Sequence, residues 1–481
     1  MAPKVPRRPS FPRRGKREIR MSLGPDTELS IDAPSVRSYI NALARRSPAR
    51  LAMLVFGALI LTITFLLMLP FSSRVPGNAS FLDALFTATS AVCVTGLTVV
   101  DSASHWTVFG HVVLALGIQI GGLGVMVIAS ILALAVSRHL GLTQRMLAAT
   151  ETQSRLGDVG ALLRAVIATS VIAESVLTII FLFTFVRLDS SFVSALGHSF
   201  FMALSTFNNA GFVILDAGLA PFVGNWAVSV PIILGTIIGA VGFPVTLNIA
   251  KNLRRPSEWT LHSKLTVVTY FSLLGLSIMM MGLLEWSNPA TFGQLSGAER
   301  TLATVFHATT PRSSGLATID ISQMQQSTWF FLDMMMFIGG GSASTGGGIK
   351  VTTFAVLVLA IRAEARGDRD TEAFGKRIPP DVVRLAISAT FLGTLLVTSS
   401  TLLLTHITNL SFSQVLFEVI SAFATCGLST GITPGLPDSA QLVLIMLMYF
   451  GRVGTMTLAA ALALRNRRRV IRLPEERPVI G

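Results

Sequence analysis

The chain has 481 residues, 51% of them hydrophobic and 13% charged, with a mean hydropathy of +0.65; an ordinary soluble domain carries roughly 25% charged residues, so a soluble globular reading is disfavoured. The net charge of +13 is confined to the ends, since residues 1–50 hold 12 basic and 4 acidic residues, residues 465–481 hold 6 and 2, and the stretch between is nearly neutral. With no zinc-finger, RRM or helix-turn-helix pattern beside them, these tails do not read as a nucleic-acid surface but as arginines kept on the cytoplasmic side near anionic lipid.

In chain order, residues 1–50 are rich in Ser, Pro and Arg and lack the order of a cleaved signal peptide, so they read as a disordered tail that is retained. Apolar runs of spanning length then recur at about 51–70, 106–136, 161–186, 226–250, 265–287, 328–361, 383–407 and 440–464, which predicts eight membrane spans. Basic residues gather after the second span (Arg138, Arg145, Arg155, Arg164), the fourth (Lys251, Arg254, Arg255, Lys264) and the sixth (Arg362, Arg366, Arg369, Lys376, Arg377, Arg384). Only Arg74, Arg187, Arg300 and Arg312 follow odd-numbered spans, so both termini are expected inside.

The outward segments are too apolar for simple loops. Residues 80–92, 192–207, 297–310 and 412–424 read as short helices that re-enter rather than span. Each leads to a glycine: Phe86 and Gly96, Phe201 and Gly211, and Phe417 and Gly427 share the spacing Phe-x9-Gly, and Phe306 with Gly315 is one residue shorter. The four glycines are 115, 104 and 112 residues apart, a fixed period that predicts four copies of span, short helix, glycine loop, span. The expected boundaries are 51–138, 139–251, 252–366 and 367–465, with a second basic tail at 466–481.

The segments reading into the glycines are Cys93, Val94, Thr95, Gly96; Asn208, Asn209, Ala210, Gly211; Arg312, Ser313, Ser314, Gly315; and Ala424, Thr425, Cys426, Gly427. Irregular backbone at membrane depth is tolerated where it lines protein or a water-filled path, and a ring of backbone carbonyls replaces the hydration shell of a potassium ion. Glycine suits such a turn because it adopts backbone angles that a Cβ disfavours. Glycines used only for tight turns or close helix packing remain the plainer alternative.

These segments resemble the Trk/Ktr/HKT superfamily of potassium transporters, and its KtrB-type membrane subunits in particular. The resemblance covers residues ~50 to 465 and is carried by Thr87-Ala-Thr-Ser-Ala-Val-Cys-Val-Thr-Gly-Leu97, Gln119-Ile-Gly-Gly-Leu-Gly124, Phe207-Asn-Asn-Ala-Gly-Phe212, Pro311-Arg-Ser-Ser-Gly315 and Ser421-Ala-Phe-Ala-Thr-Cys-Gly-Leu428. It implies an all-α integral membrane protein of four tandem pore-loop repeats around one central pore, with one filter glycine per repeat and potassium as the permeant ion; sodium is a second candidate. The eight-span count favours KtrB over TrkH, which adds two N-terminal spans. The resemblance also implies a homodimer in the plasma membrane, docked on a cytoplasmic ring of KtrA-type nucleotide-binding subunits.

Gly339, Gly340, Gly341, Ser342, Ala343, Ser344, Thr345, Gly346, Gly347 and Gly348 interrupt the sixth span, and each glycine costs a helix interior about 1 kcal/mol relative to alanine. Lys350 follows Ile349, so this is no phosphate loop, and the chain is expected to bind no nucleotide itself. By resemblance the segment is an intramembrane gate beneath the filter. Arg452 lies about mid-span in the last run, where a charge faces a cavity or a partner; an ion pair with Glu174 or Asp333 is one reading, and the resemblance implies a positive barrier facing the pore. Glu418 is a further candidate for a buried polar contact. The seven histidines form no HxxxH or HExxH pair, Cys93 and Cys426 belong to no CxxC, and no acid/base set converges, so an enzyme is not expected. An alternating-access transporter of another small solute is the remaining alternative, because broken helices also build such sites.

Overall fold

The computed structural model describes residues 48–75, 80–138, 159–189 and 191–454. Most of the expected N-terminal tail, all of the C-terminal one, the link holding Arg145 and Arg155, and positions 455–464 of the expected last span lie outside them.

Four times the chain runs through a long helix, a short helix, a non-helical turn and a further helix. The first passage is α1 (Pro48–Leu67), α2 (Phe81–Val92) and α3 (Val108–Arg138). The second is α4 (Val159–Phe185), α5 (Phe192–Asn208), α6 (Trp226–Val241) and α7 (Phe243–Lys251). The third is α8 (Leu261–Glu285), α9 (Gly297–Thr309), α10 (Gln326–Phe337) and α11 (Val351–Arg366). A two-stranded antiparallel hairpin, β1 (Thr371–Ala373) and β2 (Lys376–Ile378), leads to the fourth: α12 (Pro380–Thr408), α13 (Phe412–Phe423) and α14 (Asp438–Tyr449), which ends in a π-helical turn over Phe450–Gly454.

Among the described residues α1, α4, α8 and α12 are each long and apolar enough to cross a membrane, and the pair α6 and α7 passes the same test if taken as one bent span. Their exposed faces carry large apolar side chains such as Phe65, Phe183, Leu283 and Phe391, which marks a multi-pass membrane protein rather than one surrounded by water. The short helices are the opposite case. Phe86, Phe306 and Phe417 are wholly buried, together with small polar residues such as Thr87, Ser90, Ser205 and Ser421.

Each short helix begins at a serine. Ser80, Ser191 and Ser411 accept the N–H of Asp83, Ser194 and Gln414 at 3.0, 3.2 and 3.4 Å, while the Ser296 N–H donates to Glu299 Oε2 at 3.0 Å. A serine cap of this kind satisfies one of the orphan donors of the first turn and is worth about 1 kcal/mol. The passages are then locked in a cycle, because the helix after each turn packs on the short helix of the next passage: α3 on α5, α6 on α9, α10 on α13, and α14 back on α2. Close approach needs glycine at these seams; a Cβ on Gly122 of α3 would collide with the side chain of Asn208, the last residue of α5.

One element departs from expectation. The run at 226–250 is not a straight span but bends by 98° between α6 and α7. Gly242 at the bend has φ +98°, Pro244 sits in the first turn of α7, and a Cβ at Gly242 would meet the Ser342 carbonyl at 2.7 Å. The bend therefore makes room for the glycine-rich stretch that parts α10 from α11.

Candidate functional site

At the C-terminal end of each short helix the backbone leaves the helix in the same way. In the first, second and fourth passages the residue before the glycine donates its N–H to a carbonyl five residues back: Thr95 to Ser90 at 2.7 Å, Ala210 to Ser205 at 2.7 Å and Cys426 to Ser421 at 2.8 Å. The hydroxyls of the same serines hold the turn, Ser90 and Ser421 accepting from the Gly96 and Gly427 N–H at 3.0 Å, and Ser205 donating to the Phe212 carbonyl at 2.7 Å. In the third passage Ser314 instead donates to Thr310, four residues back, at 3.0 Å. That tighter turn accounts for the spacing between Phe306 and Gly315 being one residue shorter.

The glycines have positive φ, +94° at Gly96, +73° at Gly211, +66° at Gly315 and +94° at Gly427, and so do the residues two positions before them: Val94 at +56°, Asn209 at +58°, Ser313 at +79° and Thr425 at +45°. Left-handed backbone is ordinary for glycine and uncommon for Val or Thr, so strain of order 1–3 kcal/mol is held at each of those two positions. Alternating the hand along a stretch turns successive carbonyls to one side. Sequence reasoning found the glycines but not these partners, because of the four only Asn is a residue type that tolerates such angles.

The four turns close on one another. A Cβ on Gly96 would stand 2.7 Å from the Ala210 carbonyl and 2.8 Å from the Gly211 Cα; one on Gly211 would stand 3.1 Å from the Ser314 carbonyl and 3.4 Å from the Gly315 Cα. One on Gly315 would collide with the Cys426 carbonyl, and one on Gly427 with the Thr95 carbonyl, 3.1 Å from the Gly96 Cα. The order 96, 211, 315, 427 and back to 96 is a closed ring built from backbone alone.

Against this ring lies the stretch 338–350, buried except at its partly exposed ends and Ser342. It is held by backbone bonds to the bent second passage, Gly341 N–H to the Ala240 carbonyl at 2.7 Å and Phe243 N–H to the Ala343 carbonyl at 3.3 Å. It also touches three of the four turns: Asn209 Nδ2 donates to Thr345 Oγ1 at 2.7 Å, Gly347 N–H donates to Ser313 Oγ at 2.9 Å, and a Cβ on Gly347 would meet the Ala424 carbonyl at 2.6 Å. Lys350 Nζ donates to the Gly346 carbonyl at 2.5 Å.

Arg452 is 2% exposed and its Nη1 donates to the Thr345 carbonyl of the same stretch. The ion pair with Glu174 or Asp333 is not what the structure holds. Glu174 instead accepts from Ser170 at 2.6 Å, Gln119 at 3.0 Å and Asn208 at 3.1 Å, and no carboxylate pairs with Arg452 among the described residues. Arg452 Nε and Nη2 and one oxygen of Asp333 are buried without a partner. Glu418 is tied to Ser429, the Thr430 N–H and Thr433 at 2.6, 2.9 and 2.9 Å. Arg312 contributes backbone to the third turn, but its side chain is buried behind it, 5.0 Å over the Tyr270 ring and 3.7 Å from Met335 Sδ. Among the described residues no three His, Cys, Asp or Glu side chains cluster as a metal site, and Cys93 and Cys426 are buried free thiols.

Residues 52–467 match the family described as TrkH, cation transport protein. The chain is 36% identical over 432 residues to Ktr system potassium uptake protein B of Bacillus subtilis (strain 168), covering 90% of this chain and 96% of that protein. It is 34% identical over 449 residues to the potassium/sodium uptake protein NtpJ of Enterococcus hirae, covering 91% and 98%. Its fold is similar to the crystal structure of the potassium transporter TrkH from Vibrio parahaemolyticus, with a TM-score of 0.64 at 21% identity over 84% of this chain and 83% of that one.

Proposed function

The chain belongs to the TrkH family of cation transport proteins, and on that premise we propose that it is the membrane subunit of a potassium uptake system whose ions pass through the ring of turns at Gly96, Gly211, Gly315 and Gly427. The observation that carries this reading is the closure of that ring from backbone, with both the glycine and the residue two before it left-handed in all four turns. Carbonyls turned to one side by such alternation replace water around a monovalent cation. Each turn also sits at a helix C-terminus, where the macrodipole places about half a negative charge, so four such ends favour a cation on the axis they surround.

In this reading the four passages are pore-loop repeats, eight spans surround one pore, and residues 93–96, 208–211, 312–315 and 424–427 form the selectivity filter. The stretch 339–348, with Lys350 and Arg452, is the gate: it lies against three of the four turns, and Arg452 adds a fixed positive charge tied to Thr345. Uptake runs down the electrochemical gradient, with the membrane potential contributing about 2.3 kcal/mol per charge per 100 mV, and sodium is a second permeant ion. Two copies pair in the plasma membrane with both termini inside, over a KtrA-type ring that supplies nucleotide control.

Rubidium-86 uptake by proteoliposomes under a potassium gradient tests the reading. The expected result is flux without ATP, suppressed by external potassium more strongly than by sodium. Folded protein that passes no rubidium in either the presence or the absence of the cytoplasmic ring overturns it.

A further inference from the structure

Between α8 and α11 a groove of about 760 Å³ runs to the β-hairpin, within the roughly 300–1,000 Å³ of small-molecule sites. Its walls carry Leu265 and Leu273 on α8 and Phe354 and Leu359 on α11, with Thr269 and Ser272 as polar residues among them. Val268 and Val358 in its lining are half-exposed, and apolar side chains exposed on membrane-spanning helices suit contact with acyl chains. From Phe354 to Arg366 the α11 wall rises about 18 Å at 1.5 Å per residue, a little more than one leaflet of a hydrocarbon core that is ~30 Å thick.

At the hairpin end the lining becomes charged: Arg362, Arg366 and Arg369 stand beside Asp368 and Glu372. None of the five side chains has a hydrogen-bond or ion-pair partner among the described residues, whereas the neighbouring Asp370 carboxylate is held by Arg377 at 2.8 Å. Unpaired groups of both signs at the mouth of such a groove match a headgroup that carries a phosphate and a primary ammonium. A second observation points the same way. Phe374 at the hairpin tip is exposed and has φ +52°, followed by Gly375 at +71°. Asn is the residue usual before Gly in that two-residue turn, and a bulky side chain there is strained. Phe374 lines the groove beside the charged residues.

We propose that this groove binds a phosphatidylethanolamine molecule, with an acyl chain between α8 and α11, its phosphate on Arg362 and Arg366 and its ammonium on Asp368 and Glu372. The proposal rests on the multi-pass membrane fold and not on the ion path. Native mass spectrometry of the full chain, titrated separately with phosphatidylethanolamine, phosphatidylglycerol and phosphatidylcholine, tests it. Phosphatidylethanolamine binds the unaltered chain best, and the exposed double change Arg362→Gln with Arg366→Gln weakens it by roughly 30-fold, the effect expected of two arginines at a membrane surface. Phe374→Asn, which relieves the turn, weakens binding while raising the melting temperature. A photo-crosslinker at Val358 captures lipid. Equal or tighter binding of either other lipid, unchanged binding in the double variant, or crosslinking of Val358 to a second copy or to residues 1–47 overturns the proposal.

Discussion

Arg452→Ala is expected to raise ion flux by up to roughly 30-fold. Among the described residues Arg452 is buried, bonds only to the Thr345 carbonyl and has no carboxylate partner, so none of them compensates its charge. At an effective dielectric of 20, two unit charges about 8 Å apart repel by roughly 2 kcal/mol, and each 1.36 kcal/mol of barrier is about tenfold in rate. Water and mobile counter-ions lower the gain, which makes this figure a ceiling. The same change releases the Thr345 carbonyl, at about 1–3 kcal/mol for an unsatisfied buried group, but it also removes Nε and Nη2, two buried donors without partners. Stability therefore changes little. Arg452→Lys keeps the charge and shifts flux less. Rubidium uptake per folded molecule, measured beside thermal unfolding, separates barrier from structural support. Level flux with a stability loss of about 3–5 kcal/mol, as for a broken buried ion pair, would refute the reasoning.

Gly96→Ser should abolish uptake or lower discrimination for potassium over sodium, since its Cβ would stand 2.7 Å from the Ala210 carbonyl at φ +94°. Gly218→Ala is the control: at φ +59° with nothing within 4 Å of its Cβ, it should cost about 1 kcal/mol of stability and leave selectivity unchanged. Deleting residues 342–346 removes the contacts to Asn209 and Arg452, and is expected to raise basal rubidium flux and weaken nucleotide control; reduced flux with control intact would make the stretch a passive break. Glu285→Ala strands the Gln325 N–H and the hydroxyls of Thr291 and Thr328 and leaves Asn288 Nδ2 with the Gln323 carbonyl alone, and at about 1–3 kcal/mol per stranded group it should lower the melting temperature sharply, which thermal unfolding in detergent reads directly.

The parts of the fold that could be read from the sequence are those set by length and hydropathy. The four short helices fall within two residues of their expected limits, because each is too short to span and is bounded by a serine and a glycine turn. Chain bends and side-chain destinations were less legible. Gly242 and Pro244 could have flagged the break at 226–250, yet an unbroken apolar run outweighs two residues when hydropathy alone is read. The left-handed Val94 and Thr425 carry no local signal, since β-branched residues avoid that region and only the packed surroundings impose it. Arg452 was legible as an anomaly but not in its partner: hydropathy shows that a charge is buried, and only the folded chain brings the Thr345 carbonyl to it. Arg312 shows the converse, a charged residue at the expected filter position whose side chain turns back over Tyr270.

Anomalous diffraction from crystals soaked in rubidium tests most directly whether the four turns hold the ion. The account predicts a peak on the axis enclosed by Gly96, Gly211, Gly315 and Gly427, weakened by added potassium and absent in folded Gly96→Ser protein. Rubidium sites confined to other parts of the molecule, in protein that still transports it, would contradict the account.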